Sequence, residues 1–475
     1  MNKSNLIKYR QLDSLTYKDI FKLYSKYINS KRVGLLSTFG SGRVLVKSAQ
    51  GAKIKLKNGK IILDATGGFG VLNHGHNHPR ILKARKWASE NLKMEVNKSF
   101  LSPALGVLSY NLSVLFGNNL QYSFFPNSGS EAIDVALRLS FRYHSQSKHK
   151  ILFSDRAFHG KSLGPQAISN SGENPIKTKT FLSVDKFKFN DSISLKEKIL
   201  KSLDSNGESN IAALVIEPFS ASTMTECSNE FLLNARHLCR KYKIILIFDE
   251  VYTGFFKTGY LFNFMRCNEL WPDILCFAKS LGGGKSSIAG VSYTKEISNK
   301  CLNDPVGANF LSSTYYGFYE ECITAIESLQ IAVDESYQNK ANNFDLFMKK
   351  LSLELEKKSN GQIYLKGSGS LWGLFYERDL EKTQKIISLL PTAFKNDRNF
   401  AKKVYLSSAI NWLFEKEGVL TALSFGFNTH ILISLNFAYQ SEDLEKIRNS
   451  LLKLCEVNWE KFIPRFVSNM LFKPN

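Results

Sequence analysis

The sequence predicts an α/β fold: a large, doubly wound, mostly parallel sheet with a smaller α/β unit beside it. The first observation behind this is a set of short apolar runs at 120–125, 150–153, 212–216, 244–248, 274–277 and 290–293, separated by longer amphipathic stretches. Strands buried on both faces read as continuous apolar runs, and helices between them make parallel crossovers. The second is size: 475 residues, 43% hydrophobic and 22% charged, suffice for a large core. At roughly 150 residues per domain, that length accommodates about three domains, or one large domain with a satellite. The third is a change of composition after about 326, where the chain turns Lys/Glu-rich and helical, with strand-like runs at 361–365, 371–376 and 430–435.

Taken in order, residues 1 to about 50 read as a basic helical segment. KIKLK and KIILDA then alternate around Asn58-Gly59, a two-residue hairpin signal. The strand and helix alternation follows, then the second unit, then an amphipathic helix at 442–459 and an aromatic-basic tail running to Phe472. No solenoid-period repeat and no low-complexity tract interrupts this order.

Composition removes several function classes. The seven scattered cysteines form no C-x-x-C pair, against a disulfide framework or a structural zinc site and in favour of a reducing compartment. The first twenty residues are charged throughout, unlike a secretory signal, and no run approaches the about 18 apolar residues of a membrane span. A cytoplasmic protein without a membrane partner is expected. The net charge of +21 is spread along the chain, mostly on lysine, and no nucleic-acid motif accompanies it, so a solvated surface accounts for it and no nucleic-acid partner is expected. The alternating His74, His76 and His78 lack further clustered ligands, and no metal is expected.

Ligands of open α/β sheets lie beyond the C-terminal strand ends, so the residues after each apolar run carry the chemistry. Four junctions stand out. After 120–125 comes Pro126-Asn127-Ser128-Gly129-Ser130, opening a helical pattern: small residues at a helix start leave N–H groups and the positive dipole end facing an anion. The plainer account is an N-cap at Ser128 or Ser130. Phe158, His159 and Gly160 form the second junction, an aromatic and a histidine on a Gly-flanked loop. The third puts Asp249 at the end of a fully apolar run, where a buried carboxylate is costly without a cationic partner. The fourth puts Lys279 at another buried strand end, ahead of Gly282, Gly283 and Gly284. A cofactor that needs an acid at a pyridine nitrogen, a lysine at an aldehyde and a helix N-terminus at a phosphate joins all four, and pyridoxal 5′-phosphate is that cofactor.

The stretches 67–79, 127–132, 158–164, Glu217-Pro218, 249–259 and 278–284, in this order and spacing, resemble the class III pyridoxal-phosphate-dependent aminotransferases. These belong to fold type I, and the likeness is greatest to the putrescine and ornithine aminotransferase branch. It covers about residues 50–325 and, more loosely, the rest. The resemblance implies that residues 1–70 join 326–475 in the small domain around a cofactor domain at 71–325. It makes Lys279 the lysine that bonds the cofactor aldehyde and moves the proton, and Asp249 the acid at the ring nitrogen. Val251 and Phe158 cover the two ring faces. Ser128, Gly129 and Ser130 hold the phosphate, and Thr314 reaches the phosphate of a neighbouring subunit, which implies a homodimer with shared sites. Glu217 lies near the cofactor or is a paired core carboxylate; His159 contacts the ring or caps its loop.

Three departures bear on specificity. Tyr252 stands where the family has a glutamine near the cofactor's phenolic oxygen, and a phenol can still hydrogen-bond there. Tyr315, Tyr316 and Phe318 make the stretch after Thr314 bulkier than the family's. The last small-domain strand, Ile431-Leu432-Ile433-Ser434, lacks the arginine with which many relatives fork an α-carboxylate. The expected activity is therefore ping-pong amino transfer between an amine or amino-acid donor and an oxo acceptor, with an apolar wall in place of a carboxylate clamp. Other chemistry on the same cofactor, such as decarboxylation-coupled transamination or an aminomutase step, and a non-catalytic scaffold role are the alternatives. Retention of both Asp249 and Lys279 opposes the last.

Overall fold

The computed structural model describes residues 6–96, 98–145, 147–170, 182–377, 400–424 and 428–472. Its opening segment holds the helices Tyr17–Tyr24 and Ser30–Thr38. Then come β1 (Val46–Gln50), β2 (Lys53–Leu56) and β3 (Ile61–Asp64), paired antiparallel in that order. β1 corrects the expectation of an all-helical start. Its sequence VKSAQ has no inward apolar face and stays largely exposed, so its strand character comes from pairing with β2 and not from hydrophobic patterning.

The large sheet holds β4 (Tyr122–Phe124), β5 (Lys150–Ser154), β6 (Ser183–Phe187), β7 (Ile211–Ile216), β10 (Ile245–Asp249), β11 (Ile274–Phe277) and β12 (Gly290–Tyr293), in the order β4-β12-β11-β10-β7-β5-β6. A small hairpin of β8 (Phe219–Ser220) and β9 (Thr225–Glu226) follows β7. The β5–β6, β5–β7, β7–β10 and β10–β11 pairs are parallel, and β12 runs against both its neighbours. Along β10, Leu246 and Phe248 join one apolar cluster with Leu214, Leu275 and Phe277, while Ile245 and Ile247 join another with Ala213, Val215 and Ile274. Both faces are therefore covered, which is why the central runs are apolar at every position. β6, SVDKF at the sheet's edge, carries no such run and escapes a hydrophobicity search.

The long helices Tyr319–Asp334 and Tyr337–Lys358 lead to the second antiparallel sheet. It consists of β13 (Ile363–Ser368), β14 (Leu371–Tyr376), β16 (Ala422–Leu423) and β17 (Ile431–Ser434), in the order β13-β14-β17-β16. β15 (Val419–Leu420) instead lies parallel to β3, with Val419 opposite Leu63. The closing helix expected at 442–459 is two: Ser441–Lys453 and Trp459–Phe472, broken where Val457 turns extended and Asn458 caps a fresh start by accepting the Lys461 N–H at 3.2 Å.

Candidate active site

β5, β7, β10 and β11 all run parallel, so their C-terminal ends meet at one edge of the large sheet, and the polar junctions collect there. Asp249 ends β10, nearly buried. Its Oδ1 accepts the Val251 N–H at 3.0 Å, and its Oδ2 lies 2.7 Å from His159 Nδ1. His159 stands on the loop after β5, where its own N–H donates to Ser169 Oγ at 2.8 Å. Burial pulls its pKa down, but the hydrogen bond and charge of Asp249, with the charge of Glu217, outweigh that and hold it above the usual histidine value. Glu217, just beyond β7, accepts the Phe158 N–H at 3.0 Å. Burial pushes its pKa up to about 7, with His159 opposing and Asp249 adding to the rise.

Lys279 follows β11 with a left-handed backbone, φ 51°. Its Nζ sits 4.3 Å from the centroid of the Tyr252 ring, a cation–π contact, and among the described residues it has no hydrogen-bond acceptor or ion-pair partner. Burial lowers its pKa to about 8 against the charges of Asp249 and Glu217. The Tyr252 hydroxyl is buried without a hydrogen-bond partner, and burial raises its pKa. Its ring packs on Phe219, Met224, Leu371, Phe375 and Leu432, an apolar wall supplied by the β8–β9 hairpin and the second sheet.

Opposite, Ser128 caps the helix Gly129–Tyr143: its hydroxyl accepts the Glu131 N–H at 3.3 Å and its carbonyl the Ala132 N–H at 3.0 Å. The N–H groups of Gly129 and Ser130 head the helix, where no intrahelical acceptor exists. Two close approaches keep this end narrow. A Cβ on Gly129 would lie 2.7 Å from Val251 Cγ1, and one on Gly160 would lie 2.3 Å from Ser130 Oγ. The Ser130 hydroxyl also accepts the Lys161 N–H at 3.3 Å.

Thus Asp249, His159, Glu217, Phe158, Val251, Gly129, Ser130, Tyr252 and Lys279 are brought together, with Ser128 as the helix cap. Thr314 is exposed, on the segment before the helix Tyr319–Asp334, and none of the hydrogen bonds described above reaches it. Two buried charges here were not singled out from sequence. Lys257, 1% exposed, donates to the Gly254 carbonyl at 2.8 Å, and burial, then the Lys279 charge, lowers its pKa well below the usual value. Glu250 accepts from the Thr253 hydroxyl at 2.5 Å and from the Asn263 and Phe264 N–H groups, each at 2.8 Å. Their turn passes through left-handed Phe255 and Phe256, φ 67° and 68°, a geometry that no hydrophobic pattern signals.

The donor set suits pyridoxal phosphate. A partnerless amine, a carboxylate backed by histidine and a helix end approached through glycines are all present, and the His159 Nε2 and Tyr252 hydroxyl are buried without partners. Among the described residues no cluster of three or more His, Cys, Asp or Glu side chains could hold a metal ion.

The chain belongs to the class-III aminotransferases: the family model described as "Aminotransferase class-III" matches residues 38–426. It is a pyridoxal-phosphate-dependent enzyme that moves an amino group from a donor to an oxo acceptor. Among curated relatives, the adenosylmethionine-8-amino-7-oxononanoate aminotransferase of Buchnera aphidicola is 29% identical over 346 residues, covering 68% of this chain and 77% of the relative. The putrescine aminotransferase of Pectobacterium atrosepticum is 34% identical over 267 residues, covering 54% of each chain. Among solved structures, the ornithine aminotransferase of Toxoplasma gondii superposes with a TM-score of 0.77 at 21% identity, over 97% of this chain and 100% of that one. A transaminase from a marine Virgibacillus gives 0.73 at 20% identity, over 89% and 94%.

Proposed function

We propose that this aminotransferase uses Lys279 and Asp249 as its cofactor lysine and acid, and that its donor is an amine on an apolar chain without an α-carboxylate. The observation that carries the substrate class is the wall beside the lysine. Tyr252, Phe219, Met224, Leu371, Phe375 and Leu432 form it, and no arginine hydrogen-bonds or ion-pairs with Asp249, His159, Glu217, Tyr252 or Lys279 among the described residues. A carboxylate set against such a wall would lose its hydration without a bidentate partner, whereas a methylene chain gains from the contact. Putrescine, in the Pectobacterium relative's name, is an amine of this kind.

Pyridoxal phosphate, when bound, supplies an aldehyde that exchanges amines and a ring that takes up electrons released at the substrate carbon. Lys279 Nζ would hold the cofactor through that aldehyde. Displaced by the donor, Nζ would be placed to take a proton from the substrate carbon and to return one, a role that a pKa lowered to about 8 suits better than that of an exposed lysine. Asp249 would hold a proton at the ring nitrogen, with His159 orienting its carboxylate. The Gly129 and Ser130 N–H groups would hold the phosphate at the positive helix end. Val251 and Phe158 would flank the ring, Glu217 fixes the Phe158 backbone, and the Tyr252 hydroxyl would be the donor for the cofactor's phenolic oxygen.

The active form in this proposal is a homodimer in the cytoplasm, with Thr314 completing the neighbour's phosphate site. Support comes from an apolar face of Phe100, Leu101, Val107, Tyr110 and Val114, all exposed in the single chain. Seven free cysteines, and the lack among the described residues of any helix long and apolar enough to cross a membrane, accord with that location. The β3–β15 pairing supports grouping 1–70 with 326–475 around 71–325.

The test is the visible spectrum of the purified enzyme. A band that borohydride bleaches, absent in Lys279→Ala, is expected, and carboxylate-free amines should discharge it faster than α-amino acids of equal length. Faster discharge by ornithine or glutamate would overturn the substrate class, and a band surviving in Lys279→Ala would overturn the lysine assignment.

A further inference from the structure

Between Lys279 and the junction of the two long helices lies a chain of buried groups whose hydrogen bonds each have one direction. The Ser328 hydroxyl donates to the Ser280 carbonyl at 2.9 Å. With its only hydrogen so used, Ser328 Oγ accepts from His74, whose Nε2 is 2.6 Å away, so Nε2 carries the ring proton. The neutral ring then accepts at Nδ1, and the Tyr337 hydroxyl, 2.7 Å away, donates to it. On the other side the Ser280 hydroxyl donates to the Gly70 carbonyl at 2.9 Å. All four side chains are at most 4% exposed. Burial, then the charges of His78, Lys257, Lys340 and Arg80, lowers the His74 pKa to about 3, so the neutral tautomer persists at working pH.

Lys279 needs such support. A side-chain-bearing residue at φ 51° lasts only where its surroundings over-determine it, and Ser280, the next residue, is pinned at both its hydroxyl and its carbonyl. Ser328 lies within the helix Tyr319–Asp334 and Tyr337 opens the helix Tyr337–Lys358, so the chain is anchored in rigid elements at its far end.

We propose that His74 is a positioning residue for Lys279: through Ser328 it fixes the Ser280 carbonyl and thereby the left-handed backbone that aims the lysine amine. This rests on Lys279 as the cofactor lysine. Neither His74 nor Ser328 touches the cofactor in this scheme, so their effect passes entirely through the lysine's backbone.

Ser328→Ala, His74→Leu and His74→Gln test it; the glutamine keeps a donor toward Ser328. In the cofactor-free protein, hydrogen exchange across 278–284 should quicken about tenfold in Ser328→Ala and His74→Leu, because the backbone opens without its pins. In the loaded enzyme, kcat should fall about tenfold with donor KM within about twofold, since a misplaced group loses orientation and not binding. The pH midpoint of the borohydride-sensitive band should move by about half a unit, and His74→Gln should recover most of both losses. If Ser328→Ala folds and matches the parent in exchange, midpoint and kcat, the proposal is overturned, as it also is if only the melting temperature falls. Should His74→Leu not fold, Ser328→Ala decides alone. A band retained in Lys279→Ala instead strikes the lysine assignment, an outcome separate from anything Ser328→Ala reports.

Discussion

Burial sets the working range of the Lys279 amine and the Glu217 carboxyl at this sheet edge. The Lys279 amine, held near a pKa of about 8, is neutral over a range where an exposed lysine is still charged. Because the neutral amine attacks the aldehyde, cofactor uptake by the cofactor-free protein should rise with pH through a midpoint of about 8, followed by the growth of the visible band. Glu217 has the opposite sign. A carboxyl raised from 4.5 to about 7 contributes stability that is complete below 4.5 and is lost as the pH climbs through 7. Glu217→Gln removes this dependence, so its melting temperature relative to the parent should rise across that window and then level off. Asp249→Asn keeps the shape but loses the charge proposed to act at the ring nitrogen, and a drop in kcat of about 10² to 10³ is expected from steady-state rates. Asp249 and Lys279 were legible in the sequence because each ends an uninterrupted apolar run, where a charged group has no ordinary reason to be. Lys257 and His74 were not. The partners of His74, Ser328 and Tyr337, come from segments far away in the chain, and Lys257 is held by the Gly254 carbonyl across a turn with left-handed Phe255 and Phe256, so no hydrophobic pattern encodes either.

At the scale of elements, the phosphate end of the site depends on how closely backbone can approach backbone. Gly160 has φ +134° and no room for a Cβ against Ser130, so Gly160→Ala should destabilise the protein by more than about 1 kcal/mol in denaturant titrations and weaken cofactor retention on dialysis. Ser128→Ala removes a helix cap and should cost about 1 kcal/mol, measured in the same way. The central strands could be read from the sequence because both their faces are covered. β1 and β6 could not, since edge strands with polar sequences are defined by their partners. The split of the last helix was hidden for a related reason: Trp459 and Phe462 continue the apolar spacing across the break at Val457.

For the whole molecule, the motifs implied the fold, and the superposition on the Toxoplasma enzyme at 21% identity agrees with it. Sequence statistics gave no outline of the surface, because exposed apolar residues are common and only their clustering has meaning. Tyr110, 68% exposed, shares one face of the helix Pro103–Leu115 with Val107 and Val114 by its spacing, and Leu101, 99% exposed, lies just before that helix. If the proposed dimer forms through this face, Leu101→Glu combined with Tyr110→Glu should shift sedimentation from dimer toward monomer and, with the role proposed for Thr314 then lost, lower cofactor affinity; an unchanged dimer would place the interface elsewhere. The parallel pairing of Leu63 with Val419 has a consequence for biosynthesis. On the ribosome, β3 emerges long before its partner β15, and every strand of the large sheet is made in between. The first sheet must therefore wait with one edge open while the cofactor unit folds, which makes the nascent chain slow to finish and a natural client for chaperones.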